Sequence, residues 1–253
     1  MAVGPFAVLR FDLAFSLLGP QGAGRFLDLG CGAGDFTLEL VRRGYHGTAI
    51  DPSEQAVART AERVAAAGAE GVEVALGTVL DVTGPFNTVF AFEVIEHIAD
   101  DVSLLRKIRT VLAPGGRLVL STPAHQGLWD DTDAVSGHVR RYEHDDLVVA
   151  LQAAGYEDIA IRSMGVPLAN LGKPLLARRN RRLLGDGGLE AASPEERTAE
   201  SGLHRALPLS DALYGLLFNR ITLAPAILAQ RALARTRLGV NWVAIATAPA
   251  HRA

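Results

Sequence analysis

The chain has 253 residues, 49% of them hydrophobic, and a formal net charge of -3, which supplies one sizeable core and gives no global pull toward nucleic acid. No stretch reaches the roughly 18 uninterrupted apolar residues that a membrane span requires, and the lone cysteine, Cys31, has no partner for an internal disulfide and suits a reducing cytoplasm. A single soluble, cytoplasmic α/β domain over 1–253 is therefore expected.

Residues 1–24 are apolar but are broken by Arg10 and Asp12 and run straight into a strand, which reads as a helical extension and not a signal peptide. A buried strand is expected at 25–29 and a helix at 35–43, stopping at Gly44. The second strand covers 46–50 and ends on Asp51-Pro52, after which Ser53 caps a helix running to Gly68. Further strands are expected at 72–76, 88–92 and 117–121, with a helix over 100–112 and a Pro114-Gly115-Gly116 turn before the third of them. A helix at 145–154 and strands at 156–162 and 240–247 complete the series. The alternation predicts a Rossmann-like, doubly wound, mainly parallel sheet. Residues 165–238 depart from that rhythm and read as a helical insertion before the last strand, with 185–201 rich in Gly, Glu, Ser and Pro and a long helical stretch at 209–237 interrupted by Pro225.

Gly30, Gly32 and Gly34 stand at alternate positions directly after the first strand. A strand, a glycine turn and a helix place backbone amides at a helix N-terminus with no Cβ to hold a ligand away. The dinucleotide fingerprint G-x-G-x-x-G has another spacing, and Asp28 adds a carboxylate where a pyrophosphate would be repelled. A ligand with a cationic end fits Asp28, and vicinal ribose hydroxyls fit Asp51. The expected ligand is a nucleoside bearing an ammonium group.

LDLGCGAGDF, AIDPSEQAV, FEVIEHI and LAPGGRLVLSTP, in that order, together with the late GVNWVAIATA, make the chain resemble a class I S-adenosylmethionine-dependent methyltransferase, of the subset with a G-H-x-R-R-Y segment. The resemblance implies seven strands with the last antiparallel, and S-adenosyl-L-methionine as cofactor. It implies Asp28, Gly30, Cys31, Gly32 and Gly34 around the cofactor's amino acid moiety, Asp51 and Pro52 on its ribose, and Glu93 beside them. Relatives carry Gly-Asp after the third strand, whereas this chain has Gly77-Thr78 and Asp81. Thr78 and Asp81 are the adenine candidates, with a solvated loop role for Asp81 as the alternative. Asn87 replaces an Asp before the fourth strand, in a structural role.

Methyl transfer needs alignment, dehydration and, for a hydroxyl, a base. Candidate bases at the carboxyl ends of the strands are Glu93, Glu96, His97, His125 and His138; for 93–97 the competing reading is charges that cap the next helix. The polar segment 124–147 leaves the fifth strand where a substrate lid belongs. In it His138 is the expected base or substrate ligand, His125, Trp129 and Tyr142 line the acceptor, and Arg140 or Arg141 meets an anionic group. Alternatively the arginines bridge to Asp130, Asp131 and Asp133 and hold the loop shut. The His and Asp spacing follows no fixed ligand pattern, so no metal is expected. The insertion is expected to cap a small acceptor, and its basic run 177–184 and apolar 209–228 offer a lipid-surface contact or a homodimer face. The expected function is methyl transfer to an oxygen or nitrogen of a small metabolite, in biosynthesis. A lipid-linked or carboxylate-bearing acceptor is one alternative, a non-catalytic scaffold a second, and an NAD-dependent dehydrogenase the weakest.

Overall fold

In the computed structural model, which describes residues 3–168, 170 and 216–250, the strands are β1 (Phe26–Leu29), β2 (Gly47–Asp51), β3 (Val72–Leu76), β4 (Phe86–Phe92), β5 (Leu112–Pro123), β6 (Glu157–Met164) and β7 (Asn241–Thr247). They form a seven-stranded sheet in the order β3-β2-β1-β4-β5-β7-β6. The pairings from β3 to β5 are parallel, and β7 is antiparallel to both β5 and β6. The doubly wound, mainly parallel sheet read from the sequence is thus present, its last strand reversed.

Helices α1 (Pro5–Leu18), α2 (Asp35–Arg42), α3 (Glu54–Ala66), α4 (Asp101–Val111), α5 (Asp131–Val135), α6 (His144–Ala153) and α7 (Ala224–Leu233) cover it. Alternation along the strands decides which helices pack where. Leu27, Val89, Leu118, Leu120 and Trp242 pack with Leu105 and Ile108 of α4 and Leu147 and Leu151 of α6. Their neighbours Phe26, Phe90, Val119 and Val243 pack with Phe11 and Ala14 of α1 and Phe36 and Leu40 of α2. Both faces are covered, so the strands read as continuous apolar runs. Ser53 caps α3 by accepting from the Ala56 amide at 3.3 Å, as its sequence context indicates.

Two local expectations change. Pro114-Gly115-Gly116 is a bulge inside β5, since Phe86 pairs with Leu112 and Thr88 with Arg117 across a register shift. Pro225 opens α7 instead of breaking a longer helix, a position where its missing N–H leaves no intrahelical bond unmade. Asp12 of α1, 1% exposed, receives two guanidinium bonds from Arg231 of α7 at 2.7 and 2.8 Å and one from Arg220, tying the N-terminal helix to the segment before β7. Residues 171–215, including the basic run 177–184 and the stretch 185–201, lie outside the described residues. Among the described residues no helix is long and apolar enough to cross a membrane.

Candidate functional site

The parallel strands end together, and the turns beyond their carboxyl ends gather the site. Gly30, Gly32 and Gly34 all take positive φ, at 73°, 54° and 76°. A Cβ on Gly34 would lie 2.7 Å from the Thr60 hydroxyl, so that glycine permits α3 to close on the loop, whereas a Cβ on Gly32 would meet nothing within 4 Å. The open side of the loop is thus at Gly32. Asp51 braces it from β2: one carboxylate oxygen accepts from the Gly32 amide at 2.8 Å and the other from the Ser53 amide at 2.9 Å. Each oxygen keeps a lone pair for a ligand hydroxyl.

Asp28 is buried on β1 and accepts from the Thr37 hydroxyl at 2.6 Å. Burial, with Asp51 nearby, pushes its carboxyl up to about 7 in spite of that bond. A cation brought beside it would restore the ionised form. Burial and the same two carboxylates push the Cys31 thiol up, so Cys31 acts as a small buried residue and not as a nucleophile. Pro52, exposed, follows Asp51. Thr78 gives both its amide and its hydroxyl to Asp81, at 2.8 and 2.9 Å, which holds that carboxyl below its usual range and folds the Asp81 side chain onto its own loop.

Glu93, directly after β4, takes φ 55°, a left-handed conformation that costs a non-glycine residue about 1–3 kcal/mol. Three groups fix it there: the Ser121 hydroxyl at 2.8 Å, the Asn241 amide at 3.1 and 3.2 Å, and the Arg10 guanidinium of α1 at 3.1 Å. The capping expected of residues 93–97 falls to Asp100, which accepts from the Ser103 amide at 3.1 Å. Glu96 and His97 are thereby left for other work.

Three donors meet beside that turn. Glu96 is fully buried; one of its oxygens accepts from the Thr122 hydroxyl at 3.2 Å and the other, Oε1, has no hydrogen-bond partner. Burial, with Glu93 nearby, pushes its carboxyl well up. His97 and His138 stand edge to face with ring centres 4.9 Å apart. His97 Nδ1 lies 3.2 Å from the Gly137 carbonyl and His138 Nδ1 2.9 Å from Asp133. Both partners only accept, so each Nδ1 carries a hydrogen, and Nε2 is the ring atom turned away from these bonds. Burial and His138 lower His97, which favours its neutral form.

The rest of 124–147 holds this arrangement. Asp133 is buried between His138 and Arg141, which donates Nε to both its oxygens at 2.8 and 2.9 Å; these bonds outweigh burial and keep its carboxyl below the usual range. Arg140 binds Asp101 at 3.0 Å and the Ala99 carbonyl at 2.5 Å. The two arginines thus brace the loop, Arg141 on Asp133 as the bridging alternative has it and Arg140 on Asp101. Tyr142 is 3% exposed with its hydroxyl 2.5 Å from Asp101, a core position that rules out an acceptor wall. His125 sits between Glu143 at 2.9 Å and the Arg237 carbonyl at 2.8 Å, joining the loop to the chain before β7, and Trp129 is exposed. Arg10 and Asn241 escape a reading by motif, because their roles arise from long-range contacts to Glu93.

A family model described as a methyltransferase domain matches residues 9–161. A ubiquinone biosynthesis O-methyltransferase of Caulobacter sp. (strain K31) is 36% identical over 119 residues, covering 46% of this chain and 47% of that protein. The chain thus matches about half the length of the curated relatives. Among solved structures, the cyclase SpnF superposes with a TM-score of 0.59 at 18% identity, over 95% of this chain and 80% of that one. Phosphoethanolamine N-methyltransferase 2 of Haemonchus contortus, in complex with S-adenosyl-L-methionine, superposes at 0.58 with 21% identity, over 95% of this chain and 52% of the other. A fold shared by a cyclase and a methyltransferase does not fix the reaction, so the side chains of the site carry the functional argument.

Proposed function

This chain belongs to the methyltransferase domain family, and from that premise we propose that it transfers the methyl group of S-adenosyl-L-methionine to an oxygen of a small hydroxylated acceptor in the cytoplasm. The residues fit the cofactor. Gly32 leaves the loop open, Asp51 has lone pairs for the ribose hydroxyls, and buried Asp28 suits the ammonium group. Thr78 and Asp81 stand at the adenine side. When bound, the cofactor supplies an electrophilic methyl group on a sulfonium. The protein's own part is to hold the acceptor, keep water away and deal with the acceptor's proton.

The observation that carries oxygen as the accepting atom is the convergence of Glu96, His97 and His138, whose donor atoms lie within 4.8 Å of one another. A hydroxyl is a poor nucleophile until it loses its proton, whereas a neutral amine needs no such help. Imidazoles held through Nδ1 beside a buried carboxyl are groups of the kind that can take that proton. Asp133 and Arg141 fix His138 from behind, in the manner in which a carboxylate orients a working imidazole. The curated relatives, named as O-methyltransferases, support the same choice. The cap role read for 165–238 is part of this proposal; among its described residues Arg237 supports it, pairing with Asp145 at 2.7 Å and giving its carbonyl to His125.

The test is mass spectrometry of phenols, catechols and aliphatic alcohols incubated with the protein and methyl-deuterated cofactor, with matched amines beside them. Label on oxygen, reduced at least about 100-fold in His138→Ala with cofactor affinity retained, is the expected result. Label on the amines alone would overturn the oxygen reading.

A further inference from the structure

Glu96 and His97 are adjacent in the short turn Ile95–His97, while His138 comes from the segment between α5 and α6. The fold brings them together through two hydrogen bonds, the Val139 amide to the Glu96 carbonyl at 2.9 Å and the His97 side chain to the Gly137 carbonyl. We propose that Glu96 Oε1, His97 Nε2 and His138 Nε2 bind a divalent first-row transition ion. This deepens the reading above, since the ion would stand beside the acceptor oxygen.

Four features support it. Glu96 Oε1 is buried and has no hydrogen-bond partner, and an orphaned buried acceptor is destabilising unless something binds it. Each imidazole has its Nδ1 hydrogen directed at a carbonyl or carboxylate, the outer-shell pattern that fixes Nε2 as the ligating atom. One donor atom from each of the three residues lies within 4.8 Å of the others, at most about 2.8 Å from a common centre, so modest side-chain closure reaches the ~2.0–2.2 Å of metal–nitrogen and metal–oxygen bonds. Two imidazoles with one carboxylate favour zinc, iron, cobalt or manganese over magnesium or calcium, which take all-oxygen sets. Three protein ligands leave coordination positions open, as in catalytic sites generally. An acceptor hydroxyl taking one of them would lose its proton to solvent more readily, as metal-bound water does. His97 and His138 then hold the ion, and the ion acidifies the hydroxyl.

The test uses the full chain, dialysed against chelator and titrated with cobalt(II) alone, followed by visible absorption and calorimetry, without acceptor or cofactor. One ion per chain with ligand-field bands is expected, displaced by zinc. His138→Ala and His97→Ala should each weaken binding at least about 100-fold, and Asp133→Asn, which alters the outer partner of His138 and leaves the three ligands in place, about 10-fold to 100-fold. Binding of S-adenosylhomocysteine by each variant shows that it is folded and separates the two proposals. Absence of stoichiometric uptake, or uptake unchanged in the histidine variants, with nucleoside binding intact, would overturn the ion site and leave the methyl-transfer reading standing. Loss of nucleoside binding in the wild type would overturn that reading instead.

Discussion

Replacing Asp28 with asparagine separates two consequences of one buried carboxyl. Burial raises its proton affinity from the ordinary 3.8 to about 7. Between those two values the folded chain holds a proton that the unfolded chain has released, so stability falls as pH rises through this window and levels off above it. The whole difference comes to about 4 kcal/mol, at about 1.4 kcal/mol per pH unit. Asparagine keeps an oxygen for the Thr37 hydroxyl, but its amide needs a new partner, which takes back about 1–2 kcal/mol. Asp28→Asn should therefore exceed the wild type by about 2–3 kcal/mol at pH 8 and show no advantage at pH 4. Urea unfolding at the two pH values, with equal m-values, reads the difference. The same variant should bind S-adenosylhomocysteine at least about tenfold more weakly, having lost the anion opposite the ammonium group. A stability difference that is the same at both pH values would refute the claim that burial perturbs Asp28.

Gly34→Ala should destabilise the fold by about 2–4 kcal/mol, because it combines a positive φ with a 2.7 Å approach to Thr60. Thr60→Ala in the same chain should recover part of that loss, and thermal melts of the single and double variants measure it. Asp51→Ala should weaken S-adenosylhomocysteine binding at least about 100-fold, since it removes both the ribose acceptors and the brace on the Gly32 amide; calorimetric titration checks this. Arg141→Ala leaves Asp133 buried with fewer donors, so it should cost about 2–3 kcal/mol in urea unfolding and lower turnover without changing cofactor affinity.

Much of the sheet was legible because its strands are short apolar runs punctuated by glycine and proline, and β3 matches its expected bounds. The glycine loop and Asp51 were legible for a local reason: each lies directly after a strand, where the fold puts ligands. Errors arise where a distant partner decides. Tyr142 reads as a pocket wall in a polar segment, but Asp101 of α4 draws its hydroxyl into the core. Arg140 and Arg141 read equally well as anion binders or loop braces, and the positions of Asp101 and Asp133 decide for bracing. Pro225 reads as an interruption of a helical stretch, whereas in the fold it stands in the first turn of α7, which packs near α1. The cluster of Glu96, His97 and His138 has no ligand spacing in the sequence, because the loop between its members is closed by tertiary contacts.

Calorimetric titration with S-adenosyl-L-methionine, S-adenosylhomocysteine and NAD tests most directly whether the glycine loop, Asp28 and Asp51 form a site for an ammonium-bearing nucleoside. One equivalent of each of the first two should bind, with NAD giving no heat beyond dilution. Binding of NAD, or of none of the three, would contradict that reading.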